Sequence, residues 1–290
     1  MKKEKTNNSD IRTPFSEFVR KFKKQKSAVV AFFVLVFIVL VAIFADVIAP
    51  FEINEYNYME ILQPPSSKHL FGTDEFGRDI FSRIVYGSRI SLAIGFGAVT
   101  VAAIFGAVLG LIAGYYGGIW DSLISRISDV LFAFPGLILA IAIVAILGPG
   151  LYNVVIAVVV FRTPTFARLV RSSTLQVKNS VFVQAARSLG ASDTRLLFKH
   201  ILPSALPSII VQYSLSIGGS IMTAASLSFL GMGASPPTPE WGLLLSNART
   251  YVYTSWHYAV FPGLAIFLTV LCFNLVGDGL RSALDPKLSE

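Results

Sequence analysis

The sequence predicts an all-α, polytopic membrane protein with six transmembrane helices. Three observations carry this. Hydrophobic residues make up 54% of the 290 residues and charged residues only 14%, against about a quarter in soluble domains. The chain contains repeated apolar runs of the roughly 20 residues needed to cross a bilayer. Its 24 Lys and Arg residues are shared unequally between alternate connections, as the positive-inside rule requires. A soluble α/β enzyme is excluded by this composition. The single cysteine, Cys272, excludes an internal disulfide framework, and 22 glycines with 14 prolines in no period exclude a collagen-like chain.

Residues 1–26 form a basic tail with nine Lys/Arg. The first span, 27–49, is built on the run Ala28 to Ala45, which holds no polar residue. A tail this long and an apolar run this extended mark a retained anchor rather than a cleaved signal. The tail itself reads as a topogenic signal that stays in the cytoplasm rather than as a nucleic-acid arm. Segment 50–89 lies outside and carries six acids: Glu52, Glu55, Glu60, Asp74, Glu75 and Asp79. Span 90–116 carries Gly106, Gly110 and Gly114 at four-residue spacing, a stripe that admits a second helix at close range. Span 122–147 begins with Arg126 and Asp129, three apart and so able to pair on one helix face.

Span 151–170 contains Arg162, Thr163, Pro164 and Arg168; a five-span count, which would place the two termini on opposite sides, is the rival reading. Arg162 lies about 9 Å of helix rise from Arg168; it either snorkels or lines a pathway. Residues 171–204 form the one long inner loop. Span 205–230 is rich in small and hydroxyl residues, among them Ser216, Ser220 and Thr223, which serve tight packing or a polar pathway wall. Segment 231–257 is again outside, 258–280 is the last span, and 281–290 is a short tail. With six spans, the side of the termini and 171–204 holds sixteen Lys/Arg and the opposite side five, so both termini are expected in the cytoplasm. Trp241 and Trp256, on the outer side, are expected as interfacial anchors or as docking residues. Asp278 is expected at the inner interface.

No G-x-x-x-x-G-K-[ST] phosphate loop, H-E-x-x-H pair or G-x-S-x-G elbow is present. No catalytic, cofactor or metal site is expected; His69, His200 and His257 are far apart in sequence. The inner loop from Val181 reads VFVQAARSLGASDTRLLFKHILPS. Its apolar residues recur at helical intervals. Gly190 suits the left-handed position after a helix end. Ser192 and Asp193 suit the start of a second helix, which Pro203 is expected to end. Docking of a protein partner and an amphipathic helix on lipid headgroups both fit this pattern.

Gln184, Ala185 and Ala186, with Gly190, Leu202 and Pro203, resemble the EAA loop of ABC importer permeases. Gln184 stands where that family has glutamate, and His200 where isoleucine is usual. Three further stretches resemble the C-type subunit of the dipeptide/oligopeptide/nickel branch: FGTDEFGRDIFSRIVYGSRISL (71–92), LSFLGMGASPPTPEWG (227–242) and NLVGDGLRSALDPKL (274–288). Ser282 stands where aspartate is common, and Thr163 where tryptophan is frequent. The resemblance implies a type I ABC importer (MetI-like) permease fold with its permease domain over 90–280. It implies a bacterial cytoplasmic membrane location and uptake of oligopeptides or dipeptides, with nickel or glutathione-like substrates as alternatives. Implied partners are a second homologous permease subunit, two ATP-binding subunits that carry ATP and magnesium, and an extracytoplasmic peptide-binding protein, all within membrane lipid. ATPase coupling would fall to Gln184, Ala185, Ala186, Gly190, Asp193, Leu202 and Pro203. Arg162, Ser216, Ser220 and Thr223 are pathway candidates. A gradient-driven carrier or channel without ATPases is the alternative class.

Overall fold

A computed structural model describes residues 14–284; the start of the basic tail and the last residues of the C-terminal motif, 285–290, lie outside the described residues. A short amphipathic helix, α1 (Pro14–Lys24), leads into α2 (Lys26–Ile43) and its extension α3 (Ala45–Ile48). Then come α4 (Ile80–Tyr116), α5 (Gly118–Phe132), α6 (Gly136–Leu147) and α7 (Leu151–Val177). The remainder is α8 (Val181–Ser188), α9 (Asp193–Arg195), α10 (Leu202–Phe229), α11 (Trp241–Ala248) and α12 (Trp256–Leu284). Among the described residues the only β feature is an isolated bridge between Thr73 and Asp79.

The glycine stripe of α4 sets its packing on α7. A Cβ at Gly106 would stand 2.5 Å from the Phe166 Cβ, and one at Gly110 would stand 2.5 Å from the Ala167 carbonyl oxygen. Gly114 meets Thr174 in the same way. The contacts advance together along both chains, so α4 and α7 run parallel. Something must therefore bring the chain back between them. That is the expected span 122–147, and it is broken: α5 and α6 meet at 93°. Pro135 causes the break, since it lacks an N–H and drives Phe134 out of helical geometry. The pair still runs the length of α7 in the opposite direction. Asp121 pairs with Arg171, Asp129 with Arg168 at 2.7 Å, and Ala140 and Val144 pack with Val154 and Ala157. With the bent pair counted as one, the described residues hold six spans long and apolar enough to cross a membrane.

Three other expectations change. α4 begins at Ile80, not at 90, because Asp79 caps it: its carboxylate accepts the Ser82 N–H at 2.7 Å. At 37 residues, α4 is about 55 Å long and projects well beyond a hydrocarbon core of about 30 Å. Arg126 and Asp129 do not pair with each other, because Asp129 faces α7 and takes Arg168 instead. Pro203 does not end the second loop helix. A π-helical stretch, Leu196–Ile201, precedes it, and Asp193–Phe229 is one continuous 37-residue helix. The wider π turn removes the clash between the proline ring and a carbonyl one turn back.

Antiparallel neighbours complete the bundle. Gly95 of α4 lies against Ile217 and Ile221 of α10, and Gly277 of α12 against Leu215 of α10. Gly279 of α12 touches Ala28 and Phe22. The described N-terminal helix and the end of α12 thus sit together, at the same end as α8.

Candidate coupling site and pathway

At that end, α7 stops at Val177 and Lys178 turns back to donate to the Gly114 carbonyl at 2.8 Å. This satisfies one of the carbonyls left free at the end of α4. α8 then lies across the bundle. Its inward side chain, Val183, is wholly buried with Leu111, Val170, Leu196 and Ile201, and Ala186 packs on the same cluster. Its outward face is apolar as well. Val181 and Phe182 are 84% and 51% exposed, Ala185 is exposed, and Leu189 is 88% exposed. Gln184 is also exposed and donates to the Asn179 carbonyl at 3.1 Å.

The turn after α8 is built as the glycine pattern predicts. Gly190 has φ +84°, and its N–H reaches the Arg187 carbonyl at 2.9 Å while the Ala191 N–H reaches the Ala186 carbonyl at 3.1 Å. These two bonds are the Schellman pair. Ser192 caps the next helix, accepting from the Arg195 N–H at 3.4 Å. Asp193 accepts the Tyr115 hydroxyl at 2.5 Å, and Arg187 donates to that same hydroxyl oxygen at 3.1 Å. Arg187, Tyr115 and Asp193 therefore tie α8, the end of α4 and α9 together. The sequence argument missed Tyr115 and Arg187; nothing local in the chain brings residue 115 beside residue 193. Leu202 is half-buried and Pro203 exposed at the start of α10.

The pathway candidates separate onto two faces of α10. Ser216 and Ser220 are 1% and 0% exposed inside this chain, with Ser216 accepting from Gln212 at 3.0 Å. Thr223 is half-buried and bonds back to the Gly219 carbonyl at 2.9 Å. Arg162, from α7, lies against Gly219, and its guanidinium sits 4.9 Å from the Phe161 ring centroid. A polar cleft opens at the α8 end between α7, α10 and α12, lined among others by Gln176, Ser204, Ser208, Gln212 and Arg281. Asp278 is exposed near this end.

At the opposite end the two outer segments interlock. Asp74 is wholly buried and pairs with Arg78 at 2.7 Å and Arg83 at 3.5 Å. Arg83 reaches across to the Ile53 and Pro237 carbonyls at 3.1 and 3.3 Å. His69 lies between Asp79 at 2.9 Å and Glu60 at 3.3 Å. Hydrogen bonds from Lys68, then from His69, hold the Glu60 carboxyl below its usual range. Glu240 caps α11 through the Gly242 and Leu243 N–H groups; burial nevertheless pushes its carboxyl up. Trp241 is neither an anchor nor a docking residue. It is 2% exposed and donates to the Ile84 carbonyl at 2.9 Å, because α4 extends far enough outward to meet it. Trp256 is exposed.

A bundle of helical spans with a short, outwardly apolar helix at one end is the architecture of a polytopic membrane protein. Residues 106–290 match the family of binding-protein-dependent transport system inner membrane components. Residues 13–65 match the N-terminal transmembrane domain of oligopeptide transport permease C. The chain belongs to this family: it is an ABC importer permease of the peptide/oligopeptide class. It is 56% identical over 279 residues to the glutathione transport system permease protein GsiD of Escherichia coli O6:K15:H31, covering 96% of this chain and 92% of that one. It is 54% identical over 281 residues to the GsiD of Pectobacterium atrosepticum, covering 97% and 93%. Among solved structures, an inward-facing MetNI methionine ABC transporter aligns with TM-score 0.56 at 20% identity, over 71% of this chain and 98% of that one. An amino acid ABC transporter aligns with TM-score 0.52 at 17% identity, over 69% and 94%. These likenesses establish the MetI-like type I importer fold.

Proposed function

We propose that this permease subunit carries glutathione inward, with its termini and α8 in the cytoplasm. The observation that carries the substrate assignment is the 56% identity to a glutathione permease over almost the whole chain. A second reading, uptake of short linear peptides, is favoured by the oligopeptide-permease match at 13–65. The excess of Lys and Arg on the α8 side supports the orientation.

In this reading a homologous permease forms the other half of the pathway. Two ATPase subunits bind below it, and a binding protein delivers substrate from outside. The exposed apolar face of α8, with Val181, Phe182, Ala185 and Leu189, is the ATPase-docking surface, and Gln184 supplies a hydrogen-bonding group beside it. ATPase closure pushes α8. The Gly190 turn and the Arg187–Tyr115–Asp193 chain pass that push to α4 and to the continuous helix through Pro203 into α10. Because Asp193–Phe229 is unbroken, displacement at the surface reaches the middle of the membrane without a hinge.

The test is reconstitution of the purified assembly in proteoliposomes with labelled glutathione and a labelled linear tripeptide. ATP-dependent accumulation of glutathione above the tripeptide supports the first reading, and the reverse order supports the second. Accumulation of either without ATP or an ATPase subunit would overturn both.

A further inference from the structure

Arg162 sits where a charge is hardest to keep. It is about 16 Å of helix rise from the start of α7 and about 22 Å from its end, well inside the apolar span. The other arginines facing this part of the bundle are neutralised, Arg168 by Asp129 and Arg171 by Asp121. Among the described residues no acid lies within ion-pair distance of Arg162, and its Nε is buried without a hydrogen-bond acceptor. Its guanidinium rests between the Phe161 ring and the bare Cα of Gly219, where a Cβ would come 2.3 Å from one terminal nitrogen. A side chain at 219 would therefore push the guanidinium from this position. An unpaired charge at such depth carries a penalty of several kcal/mol, which a pairing anion would offset.

The surroundings indicate where that anion comes from. On α10, Ser204, Ser208, Gln212, Leu215, Gly219, Thr223 and Ser226 recur at three- and four-residue intervals, on one face. All are half-buried or exposed. The lower members line the polar cleft at the α8 end, and Gly219 carries Arg162. The serines at 216 and 220, one position off this row, are buried. The row is therefore a polar track from the cleft mouth to the arginine.

We propose that Arg162 is the substrate-reading residue of the pathway: its guanidinium receives a carboxylate of the transported molecule as that molecule passes along the track. The inference rests on the transport reading above and names the chemistry that this permease recognises. A planar guanidinium matches a carboxylate with two parallel hydrogen bonds from its N–H edge, and among the described residues no acceptor occupies that edge of Arg162.

The experiment uses the reconstituted assembly with the binding protein unchanged and saturated. Uptake of glutathione is compared with that of its diamide, in which both carboxylates are neutral. Arg162→Gln is expected to lower glutathione uptake at least tenfold while the subunits co-purify and basal ATP hydrolysis persists. Arg162→Lys, which keeps the charge, is expected to recover a substantial part. Diamide uptake is expected to change less than twofold between wild type and Arg162→Gln. Gly219→Ala displaces the guanidinium and is expected to lower glutathione uptake with assembly intact. Equal losses for both substrates, unchanged glutathione uptake in Arg162→Gln, or failure of that variant and of Arg162→Lys to assemble would overturn the proposal; the last outcome would mean that an acid of the partner permease neutralises Arg162. Absence of ATP-driven uptake by the wild-type assembly would instead refute the transport reading itself.

Discussion

The two ends of this molecule solve opposite problems. The outer end, where 50–79 meets 231–241, holds buried charges that meet partners within the chain: Asp74 with two arginines, Arg83 with two carbonyls from distant segments, Glu240 with backbone N–H groups. The α8 end does the reverse. It exposes Val181, Phe182 and Leu189 and is held to the bundle by one buried valine cluster and a chain of three polar side chains. A group that needs nothing further can be rigid by itself. A surface that leaves apolar side chains in water is completed by a partner. The difference separates a platform whose buried ion pairs are completed within the chain from a helix that leaves an apolar face uncovered.

Breaking each end should therefore have different consequences. The largest effect on stability is expected from Asp74→Ala, which removes the ion-pair partner of buried Arg83 and leaves Arg78 only Glu75, at 3.6 Å. A loss of about 3–5 kcal/mol follows for a broken buried pair, visible as a lower unfolding temperature and poor accumulation of the detergent-purified protein. Wild-type melting would remove the platform from the comparison. Gly190→Pro comes next. A proline ring cannot adopt φ +84°, and the N–H that bonds to Arg187 is lost, a local cost of about 3 kcal/mol. Membrane insertion should persist while uptake is abolished, as measured by transport against total membrane protein.

Asp193→Lys should remove the acceptor for Tyr115 and place a second cation near Arg187. About 1–2 kcal/mol of stability is at stake from one charge-assisted hydrogen bond, and uptake should be lost with insertion retained. Normal uptake and normal stimulation of ATP hydrolysis would show that the Arg187–Tyr115–Asp193 chain transmits nothing. The smallest effect on stability sharpens the comparison most. Leu189→Ser alters an almost fully exposed side chain, so melting should shift by no more than about 0.5 kcal/mol equivalent. Binding of the ATPase subunits should nevertheless weaken, which co-purification from mild detergent would report. Retained ATPase binding would assign the exposed face to lipid instead.

Much of this was legible in the chain. The membrane class, the long inner loop and the turn at Gly190 follow from hydropathy and local backbone preference, which belong to short stretches of sequence. The EAA-like motif pointed to the family before any packing was known. Less legible were the facts that depend on neighbours. Trp241 reads as a surface aromatic until α4 is seen to extend outward and cover it. Asp129 has Arg126 three residues away on its own helix, yet α7 offers Arg168. Pro203 is a helix terminator in isolation, and a π turn beneath it lets the helix continue.

The serines of α10 show the same division. Composition alone marked Ser216, Ser220 and Thr223 as polar groups in an apolar span, without saying which of them remain accessible. The orientation of α10 against α4 buried the first two, and the pocket left by Gly219 placed Arg162 on the remaining row. Sequence by itself determined that this protein crosses a membrane, roughly where, and with a long loop that turns at Gly190, because solvation and local torsions act residue by residue. Tertiary structure alone decided which charges of the described residues are paired and that Arg162 has no acid beside it, because a charge is neutralised by whatever the fold brings within about 4 Å, however distant in the chain.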